Sequence, residues 1–128
     1  MSTAPVRQTR QRAAIKAIFA TTDEFRTAQQ VHSALLEAGD KVGLATVYRT
    51  LQSMAELDEL DAVRSPEGEM TYRACSKGHH HHLICRSCGK AVEISASHVE
   101  EWAQRVALEY GFRDAGHDLE VFGLCSDC

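Results

Sequence analysis

Two Cys-x-x-Cys pairs, Cys85-Arg-Ser-Cys88 and Cys125-Ser-Asp-Cys128, constrain the fold of this 128-residue chain more than any other feature. Four thiolates on two tight turns form the tetrahedral shell that Zn²⁺ prefers at structural sites. Such a site would tie residue 128 to an internal turn, so losing the metal should unfold the second half of the chain. Two local disulfides or redox-active cysteines are the alternative, which a reducing compartment disfavours.

The composition is that of an ordinary globular protein, with 44% hydrophobic and 25% charged residues. The length allows one domain or two small ones, and a small module benefits from a structural metal. No apolar run approaches a membrane span, and residues 1–12 lack the apolar stretch of a signal peptide. We therefore expect a cytoplasmic protein without a membrane partner.

Charge is distributed unevenly along the chain. The overall formal charge is -4, yet the first twenty residues contain no acid and four basic residues: Arg7, Arg10, Arg12 and Lys16. Any contact with nucleic acid is therefore expected in the first half.

Apolar residues at helical spacing predict three helices in the first half, over residues 9–22, 27–39 and 44–55. Thr9 is expected to cap the first helix, and Thr27 with Gln30 fits a capping box for the second. The third helix has a polar face on which Arg49 could reach guanine or phosphate and Thr46 could touch bases or backbone. Any surface helix also has a polar face, so this pattern alone leaves DNA recognition open.

Short strand patterns follow over residues 60–64 and 70–74, joined by a turn at Ser65-Pro-Glu-Gly68. Helices followed by a β-hairpin predict a winged helix-turn-helix. The second half shows strand patterns, a helix and a last strand, over residues 83–85, 91–94, 97–110 and 119–124. We predict an α+β fold with a winged-helix domain, a hinge and a β-β-α-β domain, over residues 1–74, 75–79 and 80–128.

Residues 79–82 are four consecutive histidines. In an extended chain, His80 and His82 would point to one face and the other two to the opposite face. Asp61 lies in the first predicted strand, over residues 60–64, and Cys75 directly follows the second. Together with His80 and His82 they could form a four-ligand shell, whose thiolate favours Zn²⁺. The alternatives are a solvated polar loop, an internal purification tag, and Cys75 as a small buried hydrophobe.

The opposite face, with His79 and His81, needs ligands from elsewhere in the second half. Glu100 and His117 are the candidates. Ser97 and Glu100 also fit a Ser-x-x-Glu capping box, so Glu100 could merely cap its helix. Spacing alone leaves this further site open.

These motifs together resemble the Fur family of metal-dependent bacterial repressors, most closely its zinc-uptake regulator branch of the actinobacterial type. The resemblance covers essentially the whole chain and rests on Thr9-Arg-Gln-Arg12, Ala45-Thr-Val-Tyr-Arg-Thr-Leu51, the histidine run and the two cysteine pairs. It implies an N-terminal winged-helix DNA-binding domain and a C-terminal dimerisation domain. It also implies a metal ion at the hinge that holds the two domains in the relative orientation required for DNA binding.

The resemblance implies up to three zinc ions in each subunit. The structural site would comprise Cys85, Cys88, Cys125 and Cys128. The hinge sensing site would comprise Asp61, Cys75, His80 and His82. The third site would comprise His79, His81, Glu100 and His117. Tyr48 and Arg49 match the family's recognition-helix residues, Arg12 matches a backbone contact, and the implied partners are a second subunit and a palindromic DNA operator, with no small-molecule substrate.

The sequence leaves rival functions open, among them a zinc buffer or a metal-stabilised interaction module. Another Fur-family protein would sense iron, nickel or peroxide, although a thiolate in the sensing site is typical of the zinc branch. A zinc deaminase is the remote alternative, because His98-x-Glu100 followed by Cys125-x-x-Cys128 faintly echoes that signature. Leu124 stands where that signature has proline, and shells with four protein ligands leave no position for a catalytic water. We therefore predict that the protein is not an enzyme.

Overall fold

The computed structural model describes residues 5–74 and 80–128, and of residues 5–9 the backbone alone. It has four helices: α1 (Pro5–Ala20), α2 (Ala28–Glu37), α3 (Leu44–Glu56) and α4 (Ser97–Glu109). Its six strands are β1 (Arg26–Thr27), β2 (Asp61–Arg64), β3 (Met70–Arg73), β4 (His81–Cys85), β5 (Ala91–Ile94) and β6 (Glu120–Gly123). The predicted α+β class is confirmed. Within the described ranges, no helix has the length and apolarity that a membrane crossing requires.

Three helices and a small antiparallel sheet form the first half. The sheet has the order β1-β3-β2, and β2 and β3 form the predicted hairpin. Apolar residues from the helices and from β3 build the core between them: Ile15, Phe19, Val31, Leu35, Val47, Leu51, Met54 and Tyr72. This arrangement is a winged helix-turn-helix. Strand β1 was not predicted, because it has only two residues and depends on pairing with the distant β3.

The helix ends depend on local chemistry that the sequence shows only in part. The predicted capping box is confirmed: the Thr27 hydroxyl accepts from the Gln30 amide, and the Gln30 side chain accepts from the Thr27 amide. Gly39 follows α2 at φ +91°, which suits glycine. The predicted cap at Thr9 is wrong, because α1 already begins at Pro5. Proline is well tolerated in a first helical turn, where no amide donor is needed.

The second half is the predicted β-β-α-β unit. Its sheet has the order β5-β4-β6, with β4 antiparallel to β5 and parallel to β6. The alternative that Ser97 and Glu100 form a capping box is not observed: Ala96 is the N-cap and no side chain caps the helix. Helix α4 buries none of its residues within one chain. Trp102 is 57% and Leu108 76% exposed.

A short segment after α1 packs against the second sheet. Phe25 is buried and forms a second apolar cluster with Val63, Ile84 and Ala91. Its amide donates to the Gly89 carbonyl over 2.7 Å. The two halves are thus in direct contact around β4 and β5. The division at residues 75–79 stays a prediction, because that segment lies outside the described residues.

Candidate metal centres and DNA-facing helix

The four paired cysteines come together at one edge of the second sheet. Their sulfur atoms lie within 4.8 Å of one another, and none of the four forms a disulfide. The Cys88 and Cys125 sulfurs are 3.8 Å apart, and the Cys125 and Cys128 sulfurs 3.5 Å. A Zn–S bond of about 2.3 Å in a tetrahedron puts neighbouring sulfurs roughly 3.8 Å apart. This donor set therefore fits a structural Zn²⁺.

Backbone amides stabilise the thiolate of Cys85. The amides of Cys88 and Cys125 donate to its sulfur over 3.5 and 3.4 Å, and these bonds lower the pKa of Cys85 to about 6. The contact with the Cys125 sulfur raises the pKa of Cys128 to about 12. Without a bound cation, the Cys85 thiol therefore loses its proton more readily than the Cys128 thiol. A bound divalent ion favours the deprotonated form of every coordinating thiol.

A second group of potential ligands connects the two sheets. Asp61 is the first residue of β2, His80 directly precedes β4, and His82 is its second residue. The Asp61 Oδ2 atom is 3.2 Å from His82 Nε2 and also contacts His80 Nε2. The two imidazole rings meet edge to face with centroids 4.8 Å apart. Two imidazoles and a carboxylate from different halves of the chain thus converge on one point.

A third group lies on the opposite face of β4. His81 Nε2 is 3.5 Å from Glu100 Oε1, and His117 Nε2 is 3.7 Å from the same oxygen. Glu100 lies in the first turn of α4, and His117 lies in the loop before β6. Since Glu100 contacts both histidines, its carboxylate is directed at this cluster and does not cap its helix.

Cys75 and His79 lie outside the described residues. Each was predicted as a fourth ligand, Cys75 with the Asp61 group and His79 with the His81 group. The remaining three members of each predicted set are brought together. The assignment of four ligands to each of these sites stays a prediction.

Burial distinguishes the histidines on β4 from ordinary surface histidines. His81 and His82 are each only 2% exposed, although they point to opposite faces. A cavity of about 310 Å³ adjoins both groups, with Asp61, His80, His82, His117 and Glu120 among its lining residues. A buried imidazole requires a polar partner or a metal ion, because leaving it unpaired is costly. This arrangement can therefore accept cations close to the junction of the two sheets.

Helix α3 presents its polar side next to α1. Thr46 and Arg49 contact each other, with a guanidinium to hydroxyl distance of 3.3 Å, and Tyr48 is 40% exposed. Polar residues of both helices line an open groove of about 280 Å³: Gln11, Arg12, Thr46, Arg49, Thr50 and Ser53. All three predicted DNA contacts on α3 therefore have surface exposure.

Arg12 is held beside this groove by an acidic partner. Its guanidinium forms an ion pair with Glu59 and lies 3.5 Å from the Ser53 hydroxyl. Lys16 Nζ lies 3.3 Å from the same carboxylate. The sequence did not identify Glu59, because no local pattern indicates that an acidic residue after a helix pairs with a distant arginine. Glu59 limits the rotation of Arg12 and keeps its positive charge next to α3.

Sequence reasoning also missed two residues that surround His82. Glu120 on β6 accepts a hydrogen bond from His82 Nδ1 over 2.9 Å. The ring of Phe25 meets the His82 ring edge to face at a centroid distance of 5.0 Å. An acidic residue inside the apolar strand 119–124 was the available signal for Glu120. For Phe25 the sequence offers no such signal, since its contact depends on how the halves pack.

The family described as the ferric uptake regulator family matches residues 3–122 of this chain. The zinc uptake regulation protein of Mycobacterium tuberculosis is 53% identical over 128 residues, covering 100% of this chain and 98% of that protein. The ferric uptake regulation protein of Campylobacter jejuni is 30% identical over 125 residues, covering 96% of this chain and 80% of that protein.

Solved structures give the same picture of the fold. The crystal structure of FurB from M. tuberculosis, described as a zinc uptake regulator, matches with 52% identity and a TM-score of 0.58, covering 100% and 99% of the two chains. The ferric uptake regulator from Francisella tularensis with iron matches with 24% identity and a TM-score of 0.76, covering 91% and 89%. The second similarity shows the fold alone.

Proposed function

This chain belongs to the ferric uptake regulator family, and from that premise we propose that it is a zinc-responsive transcriptional repressor. It acts in the cytoplasm as a metal-loaded homodimer on palindromic operators that control zinc uptake and homeostasis. The matched proteins are named as regulators, so the predicted absence of enzymatic activity is confirmed and the deaminase alternative is wrong.

The observation that carries this proposal is the contact of Asp61 on β2 with His80 and His82 beside and on β4. Bound here, Zn²⁺ would supply a centre that fixes the separation of a carboxylate and two imidazoles. Asp61 belongs to the wing, and the histidines belong to the second sheet. These side chains therefore control the angle between the winged helix and the second half, with Cys75 as the proposed fourth ligand.

The other two groups have different proposed roles. The four cysteines hold residue 128 against the β4–β5 turn through a permanent structural zinc. His81, Glu100 and His117, with His79 as the proposed fourth ligand, connect α4 to the second sheet. In this proposal α4 forms the surface through which two subunits associate, because it leaves apolar side chains such as Trp102 exposed. The third group stabilises that surface by connecting α4 to the second sheet.

The first half, residues 1–74, reads the DNA in this proposal, and the second half, residues 80–128, pairs the subunits. Tyr48, Arg49 and Thr46 enter the major groove, and Arg12 contacts the phosphate backbone. The two recognition helices of a dimer must lie roughly 34–36 Å apart to reach successive half-sites. Because the hinge sets this distance, zinc and operator each tighten the binding of the other by the same factor.

Operator affinity measured in zinc buffers tests the proposal. Fluorescence anisotropy with a palindromic duplex should show tight binding at high free zinc and weak binding after chelation. Asp61→Ala should abolish the response to zinc, because it removes the only hinge ligand described in the first half. Glu67→Ala provides a matched control, since it removes an acidic side chain from the exposed wing turn.

Equal zinc affinity in the presence and absence of operator would refute the coupling. Full zinc response in Asp61→Ala would show that the hinge group is not the sensor. Circular dichroism and the zinc content of the cysteine site should remain at wild-type values in both variants.

A sensor of iron, nickel or peroxide is the second candidate. The similarity to the ferric uptake regulation protein of C. jejuni favours iron among these signals. Competition between Zn²⁺, Fe²⁺ and Ni²⁺ at equal free concentrations separates zinc from the other two metals. Operator binding restored by zinc at the lowest free concentration supports the zinc proposal, whereas restoration by iron or nickel at a lower one supports the alternative.

A further inference from the structure

Strand β6 supports β4 at the position of the buried histidines. The two strands run parallel, and Glu120 is the register partner of His82. One oxygen of the Glu120 carboxylate accepts from the His82 amide over 3.0 Å and from His82 Nδ1 over 2.9 Å. The carboxylate thus fixes both the backbone and the ring of His82.

Leu119, the residue before Glu120, contacts His81 on the other face of β4. The Leu119 carbonyl oxygen lies 3.1 Å from His81 Nδ1. His81 and His82 are neighbours in β4 and therefore point to opposite faces, and each is contacted by one of two consecutive residues, Leu119 and Glu120. The dipeptide at the start of β6 therefore supports one histidine of each candidate metal cluster.

The hydrogen-bonding chemistry determines which ring nitrogen carries the proton. Both ring nitrogens of each histidine face oxygens that can only accept, so the relative distances decide. The Nδ1 contacts, at 2.9 Å in His82 and 3.1 Å in His81, are shorter than the Nε2 contacts with Asp61 and Glu100, at 3.2 and 3.5 Å. A neutral imidazole has one N–H, and the shorter contact favours its placement on Nδ1, which leaves a lone pair on Nε2. A metal ion requires this lone pair.

We propose that the Leu119–Glu120 segment selects the tautomer of His81 and His82, and that Glu120 is the positioning residue of the hinge site. The inference rests on the proposed function in taking zinc as the hinge ion. Outer hydrogen bonds of this kind hold a ligand ring in its binding orientation and raise its basicity. Glu120 acts through His82, while Asp61 faces the opposite nitrogen of the same ring.

Two substitutions at one position separate the hydrogen bond from the volume of the side chain. Glu120→Leu fills similar space and cannot accept, whereas Glu120→Gln retains an acceptor oxygen. Asp118→Ala is the matched control, because Asp118 is exposed, carries the same charge and adjoins the same cavity. All variants are studied as full-length protein with the structural zinc retained.

The first readout is the histidine tautomer in protein whose hinge site is free of metal, measured by long-range ¹H–¹⁵N NMR. We expect the Nδ1–H form of His82 in the wild type, in Glu120→Gln and in Asp118→Ala. Glu120→Leu should populate the Nε2–H form. An Nε2–H form of His82 in the wild type would overturn the inference, and this result does not depend on whether Glu120→Leu folds.

The second readout is the zinc affinity of the hinge site, measured by competition with a chelator. Loss of an outer hydrogen bond to a ligand typically weakens metal binding about 10–100-fold. We expect this loss for Glu120→Leu, recovery of most of it in Glu120→Gln, and wild-type affinity in Asp118→Ala. Equal affinity of Glu120→Leu and wild type would overturn the positioning role.

The two proposals fail in distinguishable ways. If the wild type binds no zinc at the hinge, or binds it without effect on operator affinity, the proposed repressor mechanism fails. The tautomer of His82 in the metal-free hinge still decides the role of Glu120. If the wild type shows coupled zinc and operator binding while Glu120→Leu behaves identically, only the present inference fails.

Discussion

The Phe25 amide donates to the Gly89 carbonyl over 2.7 Å, and the Phe25 carbonyl oxygen lies so near Gly89 that an added Cβ would be 2.6 Å from it. Gly89 directly follows Cys88 in the turn between β4 and β5, and Phe25 belongs to the segment after α1. The turn next to Cys85 and Cys88, two of the proposed zinc ligands, is therefore also the surface on which the first half packs. Gly89 has a φ of +84°, which suits glycine.

Gly89→Ala should destabilise the contact between the two halves. A left-handed alanine costs about 1–2 kcal/mol, and overpacking against backbone adds about 1–3 kcal/mol more. Thermal unfolding and operator affinity are the measurements. Gly68→Ala is the matched control, because Gly68 has a φ of +92° and open space around its would-be Cβ. Equal effects of the two substitutions would show that the close approach to Phe25 is unimportant.

Cys125→Ser should unfold the second half. The proposed zinc site would tie residue 128 to the β4–β5 turn, and structural zinc contributes about 10–16 kcal/mol of apparent binding free energy in small zinc-dependent modules. Circular dichroism should show loss of strand and α4 signal, and mass spectrometry under native conditions should show loss of one zinc. Ser126→Ala on the same turn should change neither signal. A folded Cys125→Ser variant would contradict the structural role of this site.

Cys75→Ser should have the opposite phenotype. The fold and the structural zinc are expected to remain, because Cys75 is not one of the four clustered cysteines. The response of operator binding to zinc should disappear, since a hydroxyl is a poorer Zn²⁺ ligand than a thiolate. Operator anisotropy across zinc buffers provides the test, with Ser76→Ala as control. If Cys75→Ser retains the wild-type zinc response, the Cys75 thiolate is not a ligand of the hinge site.

Sequence patterns predicted those features of the fold that depend on nearby residues. The capping box at Thr27 is set within four residues, and it is observed. Strand β1 was missed because its pairing partner Tyr72 is far along the chain. The predicted cap at Thr9 is wrong and the alternative capping box at Ser97 is not observed, because a capping sequence does not by itself decide where a helix begins.

The candidate sites show the same limit. Alternation in an extended segment predicted that His80 and His82 would share one face and His81 would take the other, and the contacts of these three residues follow that pattern. The supporting roles of Glu120 and Phe25 depend on the parallel pairing of β4 with β6 and on packing between the halves. Neither the strand pairing nor the packing between the halves produces a periodic pattern in the sequence, so these two roles could not be predicted from it.

Arg12→Ala should weaken operator binding without altering sequence preference. Arg12 lies beside α3, where its ion pair with Glu59 restricts its position, and it is the proposed phosphate contact. The slope of log affinity against log salt concentration should fall by about one for each subunit bound. Arg113→Ala removes the same charge from the second half and should leave the slope unchanged. A change in preference among operator variants after Arg12→Ala would indicate a base contact instead.

Trp102→Glu should dissociate the proposed homodimer. Trp102 is 57% exposed on α4, a helix that buries no residue within its own chain. A tryptophan anchor at an interface is commonly worth at least ~2 kcal/mol, which corresponds to a dissociation constant raised about 30-fold. Sedimentation equilibrium should therefore detect monomer at concentrations where the wild type is dimeric. Glu101→Gln, one residue away on the same exposed helix, should sediment as wild type. If Trp102→Glu remains fully dimeric, the subunits associate through another surface, and the exposed face of α4 requires a different partner.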